Sequence, residues 1–382
     1  MRSGSIHNLD FPLLLCTLAA FAVGVAMVFS ATNGDKGYAI RQAVFGLVGL
    51  ALVYALVQMD YGILESFTVP IYLGTLGLLG VVLVTGKITH GSQRWINLGF
   101  FPLQPSELTK LTLVLVLARL LSARQKELGR VKWFLLAGIL TAVPAALVFM
   151  QPDLGTAFML GAIFLGMTLA AGVRLRIFVG TALAAIPAAY AFWNWLMHDY
   201  QRDRLSIFLN PQRDLLHDGY NIIQARITIG SGGLFGLGYM GGQQSQLDFL
   251  KVSYSDFVFS VVAEEFGFVG SLALCALLFI LVWRCLVVAS HAGDAYGGLI
   301  AVGVASWIGM QVFVNVGMNI GLMPVTGIPL PFISYGGSSL ISVLLGIGLV
   351  QSVASRSSPI IFGNKAWGAA WARSARTVVR MR

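Results

Sequence analysis

Apolar residues run through this chain in long, nearly unbroken stretches separated by short polar clusters, the pattern of a protein whose solvent is lipid. A bilayer core about 30 Å thick takes roughly 20 apolar residues per helix. Stretches of that length stand near 11–30, 39–59, 67–85, 105–121, 133–149, 154–171, 174–196, 256–289, 297–323 and 336–354. They predict an all-α polytopic membrane protein with about ten transmembrane helices. The first stretch lacks a small-residue cleavage site and is read as a retained helix, not a signal peptide. Residues 1–355 read as one membrane domain and 356–382 as a basic tail.

Most connections are short, but residues 197–255 form a large polar insertion between spans seven and eight, and long structured loops carry function. Within it, HDGYNIIQARITIG places Ile222, Ile223 and Ile227 at helical spacing, predicting an amphipathic helix on the membrane surface. The next segment, GSGGLFGLGYMGG, holds seven glycines between Gly230 and Gly242 and cannot be regular. It suits either phosphate contacts or a mobile loop turning back to the membrane. In the tail, Trp367, Trp371 and Val378 share one side of a helical wheel and Arg373, Arg376 and Arg380 the other. That is the pattern of an interfacial helix, against which stands a disordered basic tail.

Composition agrees: 57 % of 382 residues are hydrophobic and 11 % charged. The net charge of +9 does not advertise nucleic acid, because its distribution sets topology. With the N-terminus inside, Arg119, Arg124, Lys126, Arg130, Lys132, Arg174, Arg176, Arg284 and the arginines of the tail crowd the cytoplasmic side. Both termini are then cytoplasmic and the long loop is extracytoplasmic. Cys16, Cys275 and Cys285 lie within spans at no spacing that suits a metal or a disulfide framework.

Ionisable residues in or beside membrane spans are costly and so informative. Here they are Glu107, Lys110, Asp153, Asp256, Glu264 and Glu265. No H-E-x-x-H, G-x-S-x-G or P-loop is present, which argues against a soluble nucleotide-using enzyme. In GSQRWINLGFFPLQPSELTK, Gln104 is positioned to cap a helix that Pro105 opens, with Glu107 in its first turn and Lys110 on the same face. Trp95 offers a plane for a sugar and Arg94 a cation for a phosphate; the alternative is an interfacial anchor beside a structural ion pair. Asp153, in QPDLGTA, reads as a helix cap. Asp256 opens span eight, where the helix terminus favours its ionised form and desolvation disfavours it, opposing effects that leave a usable base. Glu264 and Glu265 follow about 12 Å deeper, so at least one faces protein or water.

Three segments in order, QRWINLGFFPLQPSELTK, QPDLGTA and NVGMNIGLMPVTGIPLPFISYGGSS, resemble the SEDS family that includes RodA, FtsW and SpoVE. The loop adds YQRDRLSIFLNPQRD, GYNIIQARITIGSGGLFGLG and SDFVFSVVAEEFG. The resemblance covers about residues 10 to 355, and its wording leans toward the elongation branch. It implies a ten-helix peptidoglycan glycosyltransferase that polymerises lipid II outside the membrane with a class B penicillin-binding protein, releasing undecaprenyl pyrophosphate. The family's functional aspartate falls on Asp256, its loop tryptophan on Trp95, and its Glu and Lys on Glu107 and Lys110. Gln201, Ser231, Ser334 and Tyr335 stand in the same motifs and are expected to meet substrate, with Arg94, Lys110, Arg202 and Arg204 as cations for the pyrophosphate. Tyr254 replaces the family's histidine, and a neutral phenol donates but does not take up a proton. No cofactor is required; a divalent cation is possible. A lipid II flippase or other transporter and a non-catalytic scaffold for the synthase are the rival readings.

Overall fold

A computed structural model describes residues 9–85, 87–89, 92–97, 102–191, 202, 206–208, 210, 212, 218–247, 249–250 and 252–357. Gln201, Arg204 and the tail helix expected over 367–380 lie outside these residues. The chain is mostly helical. Its first helices are α1 (Phe11–Ala31), α2 (Lys36–Gln58) and α3 (Tyr61–Thr85). Next come α4 (Pro105–Ala123), α5 (Val131–Met150), α6 (Leu154–Ala170) and α7 (Leu175–Ala191). After the loop come α8 (Asp218–Ser231), the short α9 (Gln243–Gln246), α10 (Val258–His291), α11 (Ala295–Asn319) and α12 (Gly337–Arg356). Acidic caps start several of them: the side chains of Asp10, Asp35, Asp153 and Asp294 each accept from a first-turn amide.

Seven of these helices, α1, α2, α3, α5, α10, α11 and α12, are long and apolar enough to cross a membrane, and α6 and α7 are shorter apolar helices. The stretch expected at 105–121 is α4, which carries Glu107, Lys110 and Arg119. It tolerates them because protein surrounds it: α4 packs against α3, α5, α6, α11 and α12. α11 and α12 are likewise deeply buried, whereas α2, α3 and α5 show most of their length to the surroundings. The Glu107–Lys110 pair and the amides of α11 are thus kept on inner helices and away from lipid.

Two local features depart from the helical expectation. Between α3 and α4 the chain forms three short antiparallel strands, β1 (Lys87–Thr89), β2 (Ser92–Asn97) and β3 (Pro102–Leu103), in that order. The surface helix is present as α8, but it buries Gly219, Ile222, Ala225 and Thr228 against α10 and α11 and leaves Ile227 exposed. Small residues at 219 and 225 let the backbones approach, and that packing decided the face over the apolar count.

The glycine-rich segment packs against α10 and is not a free loop. Inside α10, Gly267 takes φ 67 and ψ −164, a left-handed value open to glycine, and the helix breaks there. The amides of Phe268 and Val269 donate to the carbonyls of Gly233 and Leu234 at 2.9 and 3.1 Å. In return the carbonyls of Glu264 and Glu265 accept from Leu237 and Gly238 at 3.0 and 2.9 Å. Loop backbone therefore repairs the broken rungs of α10. A side chain at Gly236 would collide with the carbonyl of Glu265.

Candidate active site

The α4 N-terminus, β2, the turn before α6 and the strap between α11 and α12 enclose a cavity of about 210 Å³. Arg94, Trp95, Gln104, Glu107, Lys110, Asp153, Thr156 and Gly327 are among its walls. Glu107 and Lys110, one helical turn apart, form a buried ion pair at 2.8 Å, and the Lys110 ammonium also lies 5.0 Å from the centre of the Trp307 ring. The second carboxylate oxygen of Glu107 is buried with no hydrogen-bond partner among the described residues. Gln104 stands at the helix cap position but does not cap through its side chain. Its amide nitrogen instead reaches Asp153 Oδ2 at 3.4 Å, because the α6 turn lies within its range.

Asp153 caps α6, accepting from the Thr156 amide at 3.1 Å and its hydroxyl at 2.9 Å. Arg94 bonds the carbonyls of Gln151 and Pro152 and stands 3.9 Å from Asp153. The structure therefore brings Arg94, Trp95, Glu107, Lys110 and Asp153 to one cavity, each cation facing a carboxylate. Arg202 is half-buried and does not line it.

Asp256 lies in the turn that leads into α10. Phe257 holds the cap position of that helix and makes no side-chain bond there. Asn319 of α11 supplies the cap instead, its Oδ1 accepting from the Ser260 amide at 3.3 Å. The Asp256 carboxylate accepts from the Ser255 hydroxyl at 2.9 Å. A β-carbon placed on Gly327, a wall of the cavity, would stand 3.7 Å from Asp256 Oδ2. The carboxylate therefore lies beside a glycine of the cavity wall.

The remaining residues hold this arrangement. Ser334 is buried, its hydroxyl donating to the Ser255 carbonyl and accepting from the Leu330 amide at 2.7 Å, so it fixes the neighbour of Asp256 and does not line the cavity. The Tyr335 amide donates to the Tyr254 carbonyl at 2.8 Å. The rings of Tyr38, Tyr254 and Tyr335 pack edgewise, with centroids 5.0 to 5.9 Å apart. Burial, and after it the neighbouring Tyr38, pushes the Tyr254 phenol above its ordinary range, so it stays a donor. Ser231 lies at the exposed end of α8 and donates to the Thr228 carbonyl at 2.7 Å, away from the cavity. Glu264 and Glu265 are both buried in protein. Glu264 caps α9 through the amides of Gln244 and Ser245 at 2.8 and 3.1 Å, and Glu265 accepts from the Ser30 hydroxyl. Both serve the glycine-rich loop. Sequence reasoning missed Gln311, Asn315 and Asn319; their signal was three amides at four-residue spacing on an apolar helix.

No group of three His, Cys, Asp or Glu side chains suited to a metal comes together among the described residues. Two adjoining apolar clefts of about 360 and 410 Å³ run along α10 and α11, sharing Cys275, Val316 and Ile320.

The family model of the FtsW, RodA and SpoVE cell cycle proteins matches residues 11–358, and the chain belongs to that family. It is similar to the peptidoglycan glycosyltransferase MrdB of Escherichia coli K12, 39 % identical over 347 residues, 91 % of this chain and 93 % of that one. Among solved structures it resembles a chain of a peptidoglycan synthase complex that coordinates polymerization and crosslinking. That match has a TM-score of 0.79 and 35 % identity over 91 % of this chain and 97 % of the other. It also resembles the rod shape determining protein RodA of Thermus thermophilus, with a TM-score of 0.68 and 34 % identity over 91 % and 96 %.

Proposed function

We infer that this chain is a peptidoglycan glycosyltransferase that polymerises lipid II on the outer face of the bacterial cytoplasmic membrane, serving elongation and cell shape. The observation that carries the reading is the Asp256 carboxylate. It lies beside Gly327, a wall of the cavity that holds Arg94, Trp95 and Lys110. Asp256 is the general base: it takes the proton of the acceptor 4-hydroxyl as that oxygen attacks the anomeric carbon of the lipid-linked donor. The new glycosidic bond forms with inversion while the bond to undecaprenyl pyrophosphate breaks. Arg94 and Lys110 meet the charge that develops on the leaving group. Arg94, 3.9 Å from Asp153 and partly exposed, is the freer to turn toward it.

The basic residues at the far end of the bundle support a cytoplasmic position for that end and an extracytoplasmic one for Asp256. The family relationship and the synthase-complex relative support a class B penicillin-binding protein as partner. Against transport, the ionisable side chains of the spans gather near the two ends of the bundle. Asp153, Glu107, Lys110, Glu264 and Glu265 lie toward one end, and Asp10, Glu65, Arg119 and Arg284 toward the other. A translocation path needs such groups in between.

The test is incubation of the purified protein, with and without its partner, with labelled lipid II in detergent. Polymer made without any second membrane compartment is the expected result. Translocation of lipid II in vesicles, with no polymer under either condition, would make the chain a transporter.

A further inference from the structure

One face of α11 carries Trp307, Gln311, Asn315 and Asn319 at one-turn intervals, all fully buried. Buried amides are tolerated only when paired, and each of these is. Trp307 Nε1 donates to Gln311 Oε1 at 2.8 Å, and Gln311 Nε2 donates to the Pro329 carbonyl at 2.8 Å. Asn315 Nδ2 donates to two carbonyls, those of Ile328 at 2.7 Å and Asp256 at 3.2 Å. Asn319 Nδ2 donates to the same Asp256 carbonyl at 3.1 Å, and its Oδ1 accepts from the Ser260 hydroxyl at 2.7 Å and the Ser260 amide.

Two side-chain amides thus converge on one peptide oxygen, that of Asp256. The residue lies in a turn, outside the regular ladder of α10. Fixing its carbonyl fixes the peptide plane beside its α-carbon and with it the direction of the carboxylate. The single NH2 group of Asn315 also holds Ile328, next to Gly327, the glycine beside the carboxylate. One amide nitrogen therefore bridges Asp256 and the strap, alongside the bonds that Ser334 and Tyr335 make to Ser255 and Tyr254.

We propose that Asn315 and Asn319 are positioning residues for Asp256. They touch no substrate; they hold the base and the strap at the separation the reaction needs. The inference rests on Asp256 being the base, and misplacement of a reacting group by about 1 Å costs on the order of a hundredfold in rate.

The experiment compares Asn315→Leu, Asn319→Ala, Asp256→Asn and a destabilised control, Leu13→Ala in α1, in thermal melting and in steady-state polymerisation of labelled lipid II below every melting temperature. Asn315→Leu should lower kcat about tenfold to a hundredfold with KM within about threefold, and Asn319→Ala should lower it less because the Ile328 bond survives. Leu13→Ala should melt earlier and keep its kcat. A kcat in Asn315→Leu that matches wild type, or falls only as far as in the control, overturns the positioning role. If Asn315→Leu does not fold, Asn319→Ala decides: unchanged kcat overturns, reduced kcat at unchanged KM supports. Asp256→Asn separates the two levels. If it stays active, the catalytic reading fails; if it is inactive while Asn315→Leu works normally, only the positioning inference fails.

Discussion

The bundle holds a buried ion pair near each end, and the two differ in completeness. At the end opposite the cavity, Asp10 pairs with Arg284, and its polar atoms are occupied. Oδ1 accepts from the Leu13 amide and Arg284 Nε at 2.9 and 3.2 Å, Oδ2 accepts from Arg284 Nη2, and Gln351 binds both the amide and the carbonyl. At the Asp256 end, Glu107 pairs with Lys110 through one oxygen while the other is buried without a partner beside a cavity. A fully satisfied pair is a staple between helices. A pair with one oxygen at the wall of a cavity is placed to meet what enters it. The difference marks one end for stability and the other for chemistry.

The largest effect that would sharpen this contrast comes from Asp256→Asn, which keeps shape and removes the base. Polymerisation should fall at least about a hundredfold while melting stays within about a degree or two of wild type, since surface-like changes cost little. Asp256→Glu should recover little, because the carboxylate moves by about 1 Å. Near-normal polymer from the asparagine variant ends the catalytic reading.

The ion pairs come next. Lys110→Met leaves Glu107 charged and buried, a loss of about 3–5 kcal/mol when one partner of such a pair is removed. Glu107→Gln with Lys110→Met should recover most of the melting temperature and none of the activity. At the opposite end, Arg284→Met should lower stability on a similar scale, yet the protein that remains folded should polymerise. Equal loss of activity per folded molecule at both ends would erase the distinction drawn above.

A smaller effect is expected at Trp95, half-buried at the cavity wall. Trp95→Ala should raise KM for lipid II roughly tenfold, the scale of one aromatic contact, with little change in melting. A change in melting with KM unmoved would make Trp95 an anchor of the strand pair. The smallest effect should follow removal of residues 360–382: polymerisation in detergent stays within about twofold, since on the proposed topology the tail is cytoplasmic and the reaction extracytoplasmic. Loss of activity in a folded, truncated protein would place the tail at the site.

How much of this was legible in the chain depends on distance along it. The apolar stretches, the Glu107–Lys110 pair and the Asp153 cap involve residues one turn apart, so spacing alone was enough. The strands around Trp95 were missed because runs of two to six residues carry too little periodicity. The motifs make Ser231 and Ser334 candidates for substrate contact but do not tell which backbone lies next to them: their hydroxyls bond the carbonyls of Thr228 and Ser255.

The sequence by itself determined that the chain lives in lipid, roughly where its long helices lie, and which few ionisable residues deserve a function. Those are consequences of transfer free energy and local hydrogen bonding, which act on neighbours in sequence. Only the tertiary structure decided that Asn319, 63 residues away, holds Asp256, that a glycine loop mends a break in α10, and that one pair is complete and the other open. Such contacts depend on how helices approach, and a buried polar group takes whichever partner that approach brings within 3 Å or so.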